Sequence, residues 1–137
     1  SSVTADCSSS PGLLVVGGYP YETSTSVELW SPGTSCTLPS LPKDMYYSPT
    51  VDILQGLPVA CHTTSCYQLT GAGWLHYQDT LHSRRYHTSA VLEEGLLLVG
   101  GSESLFTTEV LPGDGGESRE GFSLNPGRKY HCSIQVR

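Results

Sequence analysis

Histidines and tyrosines crowd the middle of the chain, at His76, Tyr77, His82, Tyr86 and His87. Imidazole and phenolate groups are ligands that suit transition metals such as copper. However, none of these histidines has the i, i+2 or i, i+4 spacing that places two ligands on one side of a strand or of a helical turn. We therefore predict no metal site and no cofactor.

Other residues that could do chemistry are isolated from suitable partners. Ser83 and Ser89 lie near His87 only along the sequence, whereas a catalytic triad is defined by geometry. The acidic, glycine-rich stretch from Asp114 to Glu120 lacks the alternating ligand spacing of a calcium loop, which favours a solvated hairpin. We predict that the protein is not an enzyme.

Composition narrows the remaining function classes. The chain has 137 residues, with 13 acidic against 7 basic side chains, a net charge of −6 and a pI near 5.2. This acidic balance argues against nucleic-acid binding, which needs a basic surface. The apolar runs at 13–16 and 96–99 are far shorter than the roughly 20 residues that span a bilayer. We predict no nucleic-acid partner and no membrane insertion.

A repeat of about 40 to 45 residues runs through the chain, and three landmarks define it. Leu13–Gly18 returns 83 residues later as Leu96–Gly101, and the apolar run Leu57–His62 lies between them. Tyr46, Tyr86 and Tyr130 mark a second landmark at spacings of 40 and 44. The third landmark comprises Ser26–Trp30, Cys66–Leu69 and Thr108–Leu111.

Each repeat reads as short β-strands. The landmark runs are β-rich and bounded by Gly, Pro or Ser, and no segment keeps apolar residues at helical spacing for three turns. Gln55-Gly56 and Glu94-Gly95 lie between apolar runs and predict hairpin turns. We expect an all-β chain with four short strands in each repeat.

The repeat resembles the kelch motif, the four-stranded antiparallel blade of a β-propeller, over nearly all of residues 11–136. The residues that carry the resemblance are Gly17-Gly18, Gly100-Gly101, Trp30, Trp74, the Leu38–Pro42 exit, Arg85–His87 and Arg128–His131. Repeat two has Cys61-His62 instead of the double glycine, and repeat three lacks a Trp. The resemblance implies about three blades and a binding or assembly scaffold. The resemblance to the central domain of galactose oxidase also makes a copper-radical-type oxidase a hypothesis, which ranks third behind the two functions given at the end of this subsection.

The blades are expected at 11–47, 48–87 and 88–131, after an N-terminal extension at 1–10. The chain starts on the second strand of a blade and ends on a first strand, 131–136, which we expect to close or exchange with another blade. Three blades are too few to close a ring, and open strand edges invite pairing. The expected partners are therefore other copies of the chain or the remaining blades of a parent chain.

Five cysteines in a chain of this length favour an oxidising, extracellular or secreted setting. Cys61 and Cys66 flank a short loop and predict a cross-strand disulfide. Cys7 and Cys36 fall on the opposite blade face and form a second candidate pair. Cys132 is then left over, either buried or bonded between chains. The alternative is that all five are reduced core residues.

One face of the blades collects Tyr and Arg, which are enriched at binding hot spots. We predict an extracellular structural or interaction module that self-associates, as a ring or a fibre, through its blades and terminal strands. The alternative is a fragment of a secreted or cell-surface recognition propeller that binds a protein or a glycan. The candidate contact residues are Tyr19, Tyr21, Tyr46, Tyr47, Arg84, Arg85 and Phe106.

Overall fold

The computed structural model describes residues 12–136 and contains strands and one short helix in that range. The all-β expectation is confirmed. The helix is a single 3-10 turn at Tyr21–Thr23. The strands are β1 (Leu13–Val16), β2 (Val27–Ser31), β3 (Thr34–Thr37), β4 (Thr50–Leu54), β5 (Leu57–Thr70), β6 (Gly73–Arg84), β7 (Thr88–Leu92), β8 (Gly95–Val99), β9 (Thr108–Pro112) and β10 (Arg119–Glu120).

The strands form three antiparallel sheets in chain order, one for each predicted repeat. Their orders are β1-β2-β3, β4-β5-β6 and β10-β9-β8-β7. The third sheet has the expected four strands, whereas the first two have three among the described residues. The predicted hairpin at Gln55-Gly56 forms, with Leu54 opposite Leu57. The turn predicted at Glu94-Gly95 lies one residue earlier, at Glu93-Glu94, with Leu92 opposite Gly95 at the start of β8.

Strand β5 contains a sharp reversal that lets it serve as two strands. Its first half, Leu57–Cys61, pairs with β4, and its second half, from Thr63 onward, pairs with β6. The Cα atoms of Cys61 and Cys66 are 4.1 Å apart, although five extended residues would span roughly 16 Å. Thr63 takes a positive φ of 54° inside this turn. The reversal is the loop that the sequence predicted between these cysteines.

Contacts divide the chain into two compact units, with the boundary between Tyr46 and Tyr47. The first unit holds the sheet β1-β2-β3. In this unit the amide of Gly17 donates to the Ser26 carbonyl at 2.9 Å and the amide of Gly18 to the Met45 carbonyl at 2.8 Å. Both glycines have positive φ, 59° and 98°, where a side chain would be strained.

The second unit repeats this backbone arrangement 83 residues later. The amide of Gly100 donates to the Thr107 carbonyl at 3.0 Å, and the amide of Gly101 to the Arg128 carbonyl at 2.9 Å. Their φ values, 65° and 103°, nearly equal those of Gly17 and Gly18. The double-glycine landmark is therefore repeated in conformation and hydrogen bonding as well as in sequence.

The core of the second unit lies between its two sheets. Alternate residues of β8 face this core because successive side chains of a strand point to opposite faces. Burying each large aliphatic side chain contributes about 1.5–3 kcal/mol. The buried cluster consists of Leu54, Val59, Cys61, Cys66, Leu96, Leu98 and Leu111.

The segment 131–136 has no strand partner among the described residues, and its Ile134 and Val136 are 87% and 84% exposed. Its expected pairing with another blade stays a prediction. The first strands of the second and third sheets, β4 and β7, begin 38 residues apart, at Thr50 and Thr88, whereas the tyrosine landmark at Tyr46 and Tyr86 has a spacing of 40. The predicted extension at 1–10 lies outside the described residues.

Candidate functional site

The predicted contact residues of the first unit form one aromatic cluster. The ring centroid of Tyr46 lies 5.5 Å from that of Tyr19 and 6.2 Å from that of Tyr21. Tyr19 and Tyr21 are 78% and 61% exposed. The Tyr21 hydroxyl donates to Asp44 Oδ2 at 3.0 Å, and this hydrogen bond with the neighbouring carboxylate raises the pKa of Tyr21. The cluster thus offers aromatic surface with an acidic group beside it.

A second aromatic group, in the second unit, contains Tyr47 and Arg85. The Arg85 guanidinium lies over the Tyr47 ring, 4.7 Å from its centroid, in a cation–π contact. The centroid of the Tyr86 ring is 6.0 Å from that of Tyr47 and 4.2 Å from that of Tyr130. Neither Tyr86 nor Tyr130 was among the predicted contact residues. Arg85 also approaches Glu103, with its Nη2 3.7 Å from the carboxylate.

Arg84 is not a surface residue, which corrects the sequence prediction. Its side chain is fully buried, and its Nε donates to Glu109 Oε1 at 2.7 Å. Its Nη1 donates to the carbonyls of Gly100 and Thr107 at 3.0 and 2.9 Å. A group held in this way between β6 and β9 is unavailable to a partner. Phe106 remains 60% exposed, as expected for a contact residue.

Histidines and tyrosines at equivalent repeat positions line a cleft of about 240 Å³ in the second unit, the tyrosine–histidine cleft. His87 Nε2 lies 2.9 Å from Thr50 Oγ1, and His131 Nε2 lies 3.0 Å from Thr88 Oγ1. Each imidazole therefore bonds the residue that begins the first strand of the preceding sheet. The lining residues are Ser48, Tyr86, His87, Tyr130 and His131.

The electrostatics of this cleft disfavour charged imidazoles. Burial, together with the positive charge of Arg84, lowers the pKa of His87 to about 4. Burial also lowers the pKa of His131, and Arg128 adds to this effect. Both rings are neutral at pH 7, so the cleft is lined by hydroxyl, aromatic and neutral imidazole groups.

The other histidines point elsewhere. His76 Nε2 lies 2.7 Å from Asp79 Oδ1, and His82 Nε2 lies 2.5 Å from Glu120 Oε1. Within residues 12–136, no three His, Cys, Asp or Glu side chains converge as a metal site would require. Asp114 accepts a hydrogen bond from the Gly116 amide at 2.8 Å, which is the local turn contact expected of a hairpin.

The cysteines fall into bonded and free groups. The predicted Cys61–Cys66 disulfide is confirmed, with an S–S distance of 2.04 Å. Cys36 is also disulfide-bonded, but Cys7, its predicted partner, lies outside the described residues. Cys132 is a free and exposed thiol, so the prediction that it could be buried is wrong. The disulfides fit an oxidising environment.

Two polar groups that matter to the packing were not singled out by sequence. Glu109 is fully buried and also accepts the Leu81 amide at 2.7 Å through its second oxygen. Asp52 accepts a hydrogen bond from the Ser89 hydroxyl, and burial raises the pKa of its carboxyl. A Glu or Gln recurs at the same place in the third landmark, at 28, 68 and 109, which was the available indication for Glu109.

Comparisons with known proteins leave this site to be judged on its geometry. No protein-family model matches the chain, and no curated protein matches it significantly. No helix in the described part of the chain has the length and apolar character needed to cross a membrane.

Proposed function

We propose that this chain is an extracellular structural or interaction module of kelch-like blades that self-associates by terminal strand pairing. The observation that carries the proposal is the open edge of β1. This strand has β2 on one side and no strand on the other among the described residues. An exposed strand edge is a template for pairing with another chain.

Exposed apolar side chains on one face of β1 support an interaction role in general; this face is opposite to the one that Ile134 joins in the register given below. Leu13 and Val15 point to one face of β1 and are 67% and 43% exposed. Trp30, directly opposite Leu13 on β2, is 51% exposed. Such neighbouring apolar side chains at a strand edge are typical of an interaction surface rather than of a solvated one.

The complementary strand is the segment 131–136. Its Ile134 and Val136 alternate with polar residues and are both highly exposed, as expected of a strand that buries one face when paired. The proposed pairing joins this segment of one copy to β1 of a second copy. Burying these two side chains would contribute about 1.5–3 kcal/mol each.

The repeat predicts the register of this pairing. In the third sheet, Thr88 of β7 pairs with Val99 of β8. The residue equivalent to Val99 is Val16, 83 residues earlier, and the one equivalent to Thr88 is Cys132, which likewise follows a Tyr-His pair. The proposed antiparallel register therefore sets Cys132 opposite Val16, Ile134 opposite Leu14 and Val136 opposite Gly12.

The mass of the chain in solution, measured by light scattering, tests this proposal. We expect a discrete mass near twice 14.7 kDa, or a large polymer if pairing continues as a fibre. Ile134→Asp should return the chain to a monomer. Ile53→Asp, at a 58% exposed isoleucine of β4, is the matched control and should leave the association intact. A wild-type monomer contradicts self-association.

A second candidate function is recognition of a protein or glycan by a propeller of which these blades are part. The cluster of Tyr19, Tyr21 and Tyr46 favours it, because exposed tyrosines combine apolar area with hydrogen-bonding hydroxyls. A folded, soluble monomer in the mass measurement would favour this candidate. Ligand binding should then weaken when Tyr21 is replaced by Ala.

A further inference from the structure

Three histidines form hydrogen bonds to residues at or just before the start of β4 and β7, the first strands of the second and third sheets. The Tyr47 amide donates to His62 Nε2 at 2.8 Å, and the two rings stack with centroids 5.8 Å apart. His87 and His131 bond Thr50 and Thr88 through their Nε2 atoms. All of these residues belong to the second unit.

Backbone hydrogen bonds between the same segments follow the histidines. The Tyr86 amide donates to the Tyr47 carbonyl at 3.4 Å, and the Tyr130 amide donates to the Tyr86 carbonyl at 3.1 Å. Tyr86 and Tyr130 both take positive φ, 58° and 54°, a conformation that costs energy for residues other than glycine. The surrounding contacts must therefore hold these segments in place.

The hydrogen bond of His62 depends on a neutral imidazole. A ring nitrogen that accepts an amide proton cannot itself carry a proton, so protonation of His62 at Nε2 breaks its bond to Tyr47. His87 and His131 face threonine hydroxyls, which also accept from a protonated ring, so burial rather than loss of a bond opposes their protonation. His87 is only 5% exposed, and a buried unpaired charge is costly.

The charges around this cluster add to that cost. The groups whose positive charge opposes protonation of His87 are Arg84 from β6 and, once they are protonated, His62 from β5 and His131. Arg128 acts on His131. The half-buried carboxylate on β4, Asp52, accepts a hydrogen bond from the Ser89 hydroxyl.

We propose that His62, His87 and His131 form an acid-sensitive latch on the strand-entry segments. While the three rings are neutral, they hold the residues before β4, β7 and the segment 131–136 to one another. Protonation releases these segments before the sheets themselves unfold, because the buried cluster between the sheets consists of leucine, valine and disulfide-bonded cysteine side chains. Acid would thereby free the terminal segment 129–136 from the second unit.

Amide hydrogen exchange of the full chain from pH 7 to pH 4, corrected for intrinsic exchange rates, tests the latch. The amides of Tyr47 and Tyr130 should lose protection as the pH falls, by up to about tenfold per pH unit for each proton taken up on opening. The amides of β8 should keep their protection over the same range. Equal loss at β8, or no loss at Tyr47 and Tyr130, would overturn the proposal.

A variant pair separates the latch from general acid sensitivity. His87→Gln keeps a side-chain amide near the position of Nε2 but cannot titrate, and it should reduce the pH dependence at Tyr130, because one of the three protons is no longer taken up. His76→Gln removes an exposed histidine outside the cluster and should leave the wild-type profile unchanged. The same pH dependence in His87→Gln as in wild type would contradict the latch. If His87→Gln does not fold, His131→Gln provides the same comparison.

Discussion

Replacing Glu109 by Gln removes one charge from the buried pair that joins β6 to β9. Both Arg84 and Glu109 are fully buried, and their charged groups are 2.7 Å apart. Gln keeps the size of Glu109 and its hydrogen-bonding oxygen. The variant therefore leaves the Arg84 cation in the interior with neutral acceptors only.

The expected cost follows from what Arg84 retains. Its contacts with the carbonyls of Gly100 and Thr107 and with the Thr107 hydroxyl, at 3.0, 2.9 and 2.8 Å, remain possible, but its counter-charge is lost. Breaking a buried pair by neutralising one partner costs about 3–5 kcal/mol. The double variant Arg84→Met/Glu109→Gln should cost less than the sum of the two single changes.

Urea denaturation of the wild type, both single variants and the double variant measures these free energies of unfolding. Glu28→Gln is the matched control, because Glu28 occupies the equivalent position of β2 and is only half-buried. It should change stability by about 0.5 kcal/mol or less. A loss below about 1 kcal/mol for Glu109→Gln, or additive single variants, would refute the interpretation of this pair as an interior charge pair.

Two further predictions concern the core of the second unit. Replacing both Cys61 and Cys66 by Ala should lower the free energy of unfolding by about 2 kcal/mol, because the unfolded chain is no longer constrained by this short disulfide loop. Urea denaturation measures this loss, and an unchanged free energy of unfolding would contradict the prediction. Burial raises the pKa of the Asp52 carboxyl, so the folded state favours the protonated form. The stability that this proton contributes is present at low pH and is lost as the pH rises through the pKa of the folded state. Asp52→Asn should therefore raise the melting temperature at pH 7 and lose this advantage near pH 3, whereas an equal change at both pH values would contradict the assigned cause.

The sequence predicted those features that depend on local structure. The displacement of 83 residues between the double glycines reappears as nearly equal φ values and equivalent backbone hydrogen bonds at Gly17 and Gly100. The Cys61–Cys66 disulfide was predictable because only a tight reversal can join two cysteines so near in sequence. These features need no knowledge of which surfaces meet.

The sequence did not predict features that a shift of one or two residues changes, such as which of two adjacent side chains is buried. Arg84 and Arg85 are adjacent, and successive side chains near a strand end point to opposite sides, so one is buried on Glu109 while the other lies over Tyr47. Because both residues are arginines, residue type does not distinguish the buried side chain from the one over Tyr47. The spacing of 40 in the sequence aligned Tyr46 with Tyr86. Strand pairing instead makes Thr50 and Thr88 equivalent, 38 residues apart, because Thr50 pairs with Cys61 and Thr88 with Val99 at the same place in their hairpins.

The free thiol of Cys132 allows the most direct test of strand pairing between copies. The proposed register sets Cys132 opposite Val16, so Val16→Cys places two thiols across the pair, while Val15→Cys shifts the new thiol by one residue and serves as control. We predict a disulfide-linked species near twice 14.7 kDa on a non-reducing gel for Val16→Cys, and a much weaker one for Val15→Cys. A Val16→Cys chain that stays monomeric under oxidising conditions would contradict pairing between copies.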